Sequence, residues 1–269
     1  MSSPRSLSWV TLSLVVVCIT TRRAPAAEPP PGLVCAWDFE GSLRDDAGTT
    51  HDQLSAWAPS GGVVLPHLVA AEELPGANGR AVALGVEPDD PAFLSACTSA
   101  DVRLGPSYTV ALWLHPTKLD IWARLVLCWG PGNEHGYHVA VHNGMVSLYH
   151  GQADGKEAIC EGGSVQTGRW HHVAAVAERH DAEPAKSTLR VYLDGTCVAT
   201  APYDGTHRDY LGEGIGIGDS ASAPSDACRF RGYLDDVMLW DRALAPDEIA
   251  GLCAGRLKSI EPPKGSEAP

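Results

Sequence analysis

From Gly32 onward the chain is a succession of short apolar or alternating runs broken by turn residues, and a two-residue period fits only strands. Two turns are chemically explicit. Asn143-Gly144 lies between Tyr137 to His142 and Met145 to His150, and Asp194-Gly195 lies between Thr188 to Leu193 and Cys197 to Ala201. Both pairs suit a type I′ hairpin, whose two central residues need positive φ. Further strands are expected at Leu33 to Phe39, Ala81 to Leu84, Tyr108 to His115, Arg124 to Trp129, Trp170 to Ala177, Ile215 to Gly218 and Tyr233 to Trp240. The pattern predicts an all-β, antiparallel two-sheet sandwich. In Tyr108 to Leu114 both alternating sets are largely apolar, which marks a central strand covered on both sides. One short C-terminal helix is expected to start at Ala245-Pro246, with Asp247 and Glu248 in its first turn, and to end between Gly251 and Gly255.

The N-terminus reads as an export signal spanning residues 1–26. Arg5 precedes an apolar run from Leu7 to Ile19, too short to span a bilayer comfortably, and Ala24-Pro25-Ala26 offers a small-x-small cleavage pattern. A lipid anchor on Cys18 is the less favoured alternative, because Val17 is bulky where a lipobox wants a small residue. Residues 27–31 form a linker, 32–255 the folded domain, and the proline-rich tail 256–269 is expected to be disordered. Cleavage removes three arginines and no acid, moving the formal charge from −13 to −16. Such a surface repels nucleic acid and anionic lipid, and no second apolar span follows. The expectation is a protein secreted or held at the cell envelope. Seven cysteines remain after Cys18, with no Cys-x-x-Cys pair, which favours disulfides over zinc.

Several blocks resemble one family in order and spacing. Val34-Cys35-Ala36-Trp37-Asp38-Phe39-Glu40-Gly41 looks like its opening strand and loop; Asn78-Gly79-Arg80-Ala81-Val82-Ala83-Leu84 and Tyr108 to Leu114 resemble its next two blocks. Trp170-His171-His172-Val173-Ala174, then Leu189 to Gly195, then Gly232 to Trp240 followed by Asp241 to Ile249, resemble its second half. The chain is thus similar to laminin-G-like jelly rolls of the concanavalin A-like lectin and glucanase superfamily, over nearly all of Gly32 to Leu252. Ala56 to Pro75 matches nothing in that pattern and reads as an inserted loop. The resemblance implies a structural calcium ion where the first strand meets the last, held here by Asp38, Glu40 and Gly41 with Asp235 or Asp236. Asp219 with Asp226 is a weaker second loop. It also implies neighbouring terminal strands, from which a Cys35–Cys253 bridge is expected; Trp37, Trp113, Trp170 and Trp240, as large rings, are expected to fill the core.

Catalysis finds little support. Glucanases of the superfamily set two carboxylates on one strand as Glu-x-Asp-x-x-Glu; the nearest string here, Glu178 to Glu183, has another spacing and reads as a solvated hairpin loop. There is no Gly-x-Ser-x-Gly elbow, and the adjacent His171 and His172 point to opposite faces of a strand. A glycan-binding rim needs rings with hydrogen-bonding groups beside them. Trp122, Trp129, Tyr137 and Tyr149, with Asn133 and Glu134, are the candidates, supported by Tyr203, Tyr210, His135 and His150. The reading is a non-enzymatic module that recognises an extracellular glycan or protein. The rivals are a glycan-processing enzyme with an atypical site and a purely structural envelope domain.

Overall fold

The computed structural model describes residues 31–44, 53–70, 79–96, 104–129, 135–208, 214–220 and 223–260. The stretch through residue 30, where an export signal and most of a linker are expected, and Asn133, Glu134 and Tyr210 lie outside them. In chain order the strands are β1 (Leu33–Trp37), β2 (Ser55–Trp57), β3 (Val63–Val64), β4 (Leu68–Ala70), β5 (Arg80–Leu84), β6 (Phe93–Ser95), β7 (Tyr108–Lys118) and β8 (Trp122–Trp129). They continue with β9 (His135–His142), β10 (Met145–Gly151), β11 (Glu157–Gly162), β12 (His171–Glu178), β13 (Thr188–Leu193), β14 (Thr196–Pro202), β15 (Gly216–Ile217) and β16 (Arg231–Trp240), before helix α1 (Pro246–Ile260).

Two antiparallel sheets form a sandwich. Sheet A runs β14-β13-β12-β7-β16-β5-β4, with β1 also paired to β16; sheet B runs β11-β10-β9-β8-β15-β6-β2-β3. The expected hairpins are present: Asn143 and Gly144 take φ of 49° and 77°, and Asp194 and Gly195 take 50° and 78°. Strand β7 sits between β12 and β16, and its residues from Tyr108 to Pro116 are buried, as its two apolar faces require. Between the sheets one core joins Trp37, Tyr108, Val110, Leu112 and Leu114 to Leu125, Val126, Tyr137, Val139, Val141 and Leu148.

Several expectations are corrected. Ala56 to Pro75 is not a bare loop, since β3 and β4 extend the edges of the two sheets there. Helix α1 continues past Gly255 to Ile260, five residues into the stretch expected to be disordered. All four tryptophans expected in the core are buried, Trp37 between the sheets and Trp113, Trp170 and Trp240 on the opposite face of sheet A. There Trp240 packs with Leu244 and Ile249, while Trp113 and Trp170 share a cluster with Cys253. The long apolar face of sheet A thus needs the helix as its second cover. The same arrangement excludes the Cys35–Cys253 bridge. Cys35 faces the inter-sheet core, Cys253 lies on α1 on the other side of the sheet, and Cys253 is a free thiol.

Candidate functional site

The side of sheet B away from the core carries a row of rings. Strand alternation sends Ala123, Leu125, Tyr137, Val139, Val141, Val146, Leu148, Ala158 and Cys160 inward. It leaves Trp122, His138, His142, Tyr149 and Glu161 on the other face of β8 to β11. Trp122 and Trp129 are an odd number of residues apart and would ordinarily fall on opposite faces. An irregularity in the β8–β9 register between Arg124 and Val126 lets both Leu125 and Val126 enter the core, and this restores Trp129 to the side of Trp122.

The rings are in mutual contact. Trp122 stacks on its cross-strand partner His142 with centroids 3.9 Å apart and planes 18° apart. His138 lies 5.7 Å from Trp122, 5.5 Å from Trp129 and 5.8 Å from Tyr149, and Trp122 lies 5.3 Å from Tyr149. His138 is 6% exposed, whereas Trp122, Trp129, His142 and Tyr149 are all partly exposed, so the row has a buried imidazole floor and accessible rings above it. At its end Glu161 accepts hydrogen bonds through Oε1 from His142 Nδ1 at 2.7 Å and from the Tyr149 hydroxyl at 2.9 Å. Burial pushes the Glu161 carboxyl up, but hydrogen bonds from His142, Tyr149 and Ser147 outweigh it and hold the group below its ordinary range. Burial, followed by the bond to Glu161, raises the Tyr149 phenol well above its usual value. Hence the carboxylate is ionised and Tyr149 is a neutral donor near neutral pH.

Of the candidate rim residues, Trp122, Trp129 and Tyr149 therefore come together. Tyr137 does not: it is 1% exposed and turns into the core against Tyr108, because strand period places it opposite His138. His150 is fully buried too, bonded to the Tyr108 hydroxyl at 2.9 Å and to the Thr206 carbonyl at 2.8 Å. Tyr203 is buried and donates to the Pro106 carbonyl. Sequence reading missed His138, His142 and Glu161. The first two occupy the alternate positions of β9, and the signal for them was available once Tyr137 was assigned inward.

The Asp38, Glu40 and Asp235 carboxylates expected to hold calcium each accept a hydrogen bond from a backbone amide. Asp38 Oδ1 accepts from the Glu40 amide at 3.0 Å, Glu40 Oε1 accepts from the Arg80 amide at 2.9 Å, and the fully buried Asp235 accepts from the Asp236 amide at 2.8 Å. Among the described residues no group of three or more His, Cys, Asp or Glu side chains is arranged to hold a metal ion. At the second loop arginine supplies the positive charge. Fully buried Asp219 receives Arg124 at 2.7 Å and faces Arg229 at 3.6 Å, with the Ser220 and Ser225 amides also donating to it.

No carboxylate pair converges in the Glu178 to Glu183 segment. Glu178 pairs with Arg190, Asp181 with Arg179 and Glu183 with Lys186, as expected of a solvated loop. His171 and His172 are likewise divided. His171 contacts Asp194 at 3.0 Å and accepts from the Gln166 amide, while His172 packs edge-on against Trp113.

Comparison with known proteins agrees with this architecture. Domain 4 of the extracellular arabinanase AbnA from Geobacillus stearothermophilus, determined in complex with arabinotriose, superposes with a TM-score of 0.58 at 16% identity, covering 82% of this chain and 98% of that one. The binding domain of Paraclostridial Mosquitocidal Protein 1 gives 0.62 at 13% identity, covering 83% of this chain and 52% of that structure. At these identities the likeness concerns fold. A 66-residue stretch is 33% identical to the human Adhesion G-protein coupled receptor D1, spanning 24% of this chain and 8% of the receptor. Among the described residues no helix is long and apolar enough to cross a membrane. The laminin G profile of the concanavalin A-like lectin/glucanases superfamily matches residues 92–250, more than half of the chain, and the protein belongs to that family.

Proposed function

We propose that this protein is an exported, non-enzymatic binding module that holds an extracellular glycan on the ring row of sheet B. The observation that carries the reading is the contact network of Trp122, Trp129, His138, His142 and Tyr149, closed at one end by the Glu161 carboxylate. Partly exposed rings offer apolar area to the C–H faces of a sugar. The carboxylate and the Asn143 amide, which lies 3.0 Å from His142 Nε2, supply hydrogen bonds for hydroxyls. The arabinotriose complex of the AbnA domain supports the same fold in such a role.

The test is binding of the purified domain to a panel of immobilised oligosaccharides, in parallel with Trp122→Ala and Tyr149→Ala. Retention on one class of glycan, lost in both variants with unchanged melting temperatures, is the expected result. Release of reducing sugar from the panel would move the reading to an enzyme, and silence toward every glycan would refute it.

A further inference from the structure

Given the glycan-binding reading, the charge around the row restricts the class of sugar that it takes. We infer that the site selects neutral saccharides and rejects those bearing carboxylate or sulfate groups. Strands β8 to β11 contain two carboxylates, Glu157 and Glu161, and a single guanidinium, Arg124. Arg124 is committed elsewhere: its Nη1 reaches Asp219 at 2.7 Å and the Ala223 carbonyl at 3.0 Å. Just before β11, Lys156 is paired with Asp154. Recognition of an acidic sugar calls for an uncommitted arginine or lysine beside the rings, since planar bidentate donors match carboxylate and sulfate. The strands beneath the row supply none.

Glu161 acts in the opposite sense. An ionised carboxylate only accepts hydrogen bonds, so it suits a sugar hydroxyl and repels a second anion. His142 does not reverse this, because its Nδ1 is already directed at Glu161. The whole-chain charge of −13 adds a repulsive far field.

The experiment compares neutral hexose trisaccharides with uronic-acid trisaccharides of the same linkage at neutral pH and low salt, using the wild type, Glu161→Gln, Trp122→Ala and His142→Ala. The neutral series binds, and the uronates bind weaker by roughly tenfold, as expected for like charges a few ångströms apart in a partly hydrated site. Glu161→Gln narrows that gap several-fold, and added salt narrows it in the wild type. If uronates bind within about threefold of neutral sugars or tighter, on the like-charge scale above, and Trp122→Ala loses both, the glycan site stands and the selectivity is overturned. If no trisaccharide binds, or if binding survives both Trp122→Ala and His142→Ala, the glycan reading falls with it. His142→Ala provides an independent removal of the stack should Trp122→Ala fail to fold.

Discussion

Replacing Asp219 with alanine should be among the most damaging single changes to this sandwich outside its apolar core. The carboxylate is fully buried and holds two amides at 2.8 Å, Arg124 at 2.7 Å and Arg229 at 3.6 Å. Its removal strands two guanidinium groups whose side chains are 16% and 9% exposed. Breaking a buried ion pair by deleting one partner costs about 3–5 kcal/mol. Arg124 keeps the Ala223 carbonyl and Arg229 keeps Asp226, which places the loss at the lower end, about 3 kcal/mol. For a domain of this size each kcal/mol lowers Tm by roughly 2–4 °C, so a fall of about 6–12 °C is expected. Asp219→Asn retains the shape and one acceptor and should fall about half as far. Thermal unfolding followed by circular dichroism at neutral pH measures both. A drop below roughly 2 °C for the alanine variant would refute the assignment of this node as a structural anchor. Excess chelator should leave the Tm difference between wild type and Asp219→Ala unchanged, because arginine rather than a cation balances Asp219; a difference that shrinks with chelator would contradict that.

Acid should weaken the fold in two separate windows. Burial lowers the His150 and His115 pKa values below 6.5, so the stability these neutral rings contribute is full above 6.5 and is lost as pH falls from there toward their folded values. Glu161 and Glu248, both held low, lose theirs only below the ordinary carboxylate range near 4.5. His150→Gln should therefore flatten Tm against pH in the first window and leave the second, and an unaltered profile would count against it. Thiol labelling of the native protein should modify exposed Cys197 first. Cys160, buried and with its pKa pushed up by desolvation to about 11, should react only on unfolding, and native-state labelling there would contradict its burial. Gly162→Ala should destabilise by about 1–3 kcal/mol, because a Cβ would lie 2.7 Å from the Val198 carbonyl and 2.8 Å from Ala199 Cβ where β11 meets β14. Urea unfolding measures this, and a neutral result would show that the two strand edges can separate cheaply.

The sequence by itself determined the strands with strong alternation and explicit turns. Asn143-Gly144 and Asp194-Gly195 required their hairpins, and the doubly apolar β7 required a covered position, because side-chain period and positive φ are local properties. It did not reveal β2 to β4, β6 or β11, whose pairings exist only because neighbouring strands complete them. Tertiary structure alone decided the site. Trp122 and Trp129 share a face through a register irregularity that no local pattern announces, and Glu161 joins them across two further strands. It also decided what lies beneath the helix: three tryptophans buried on the outer side of sheet A and a cysteine separated from its expected partner by the sheet itself. Burial of a residue can be read from its neighbours in sequence, but which of two faces buries it depends on what the rest of the chain brings to each face.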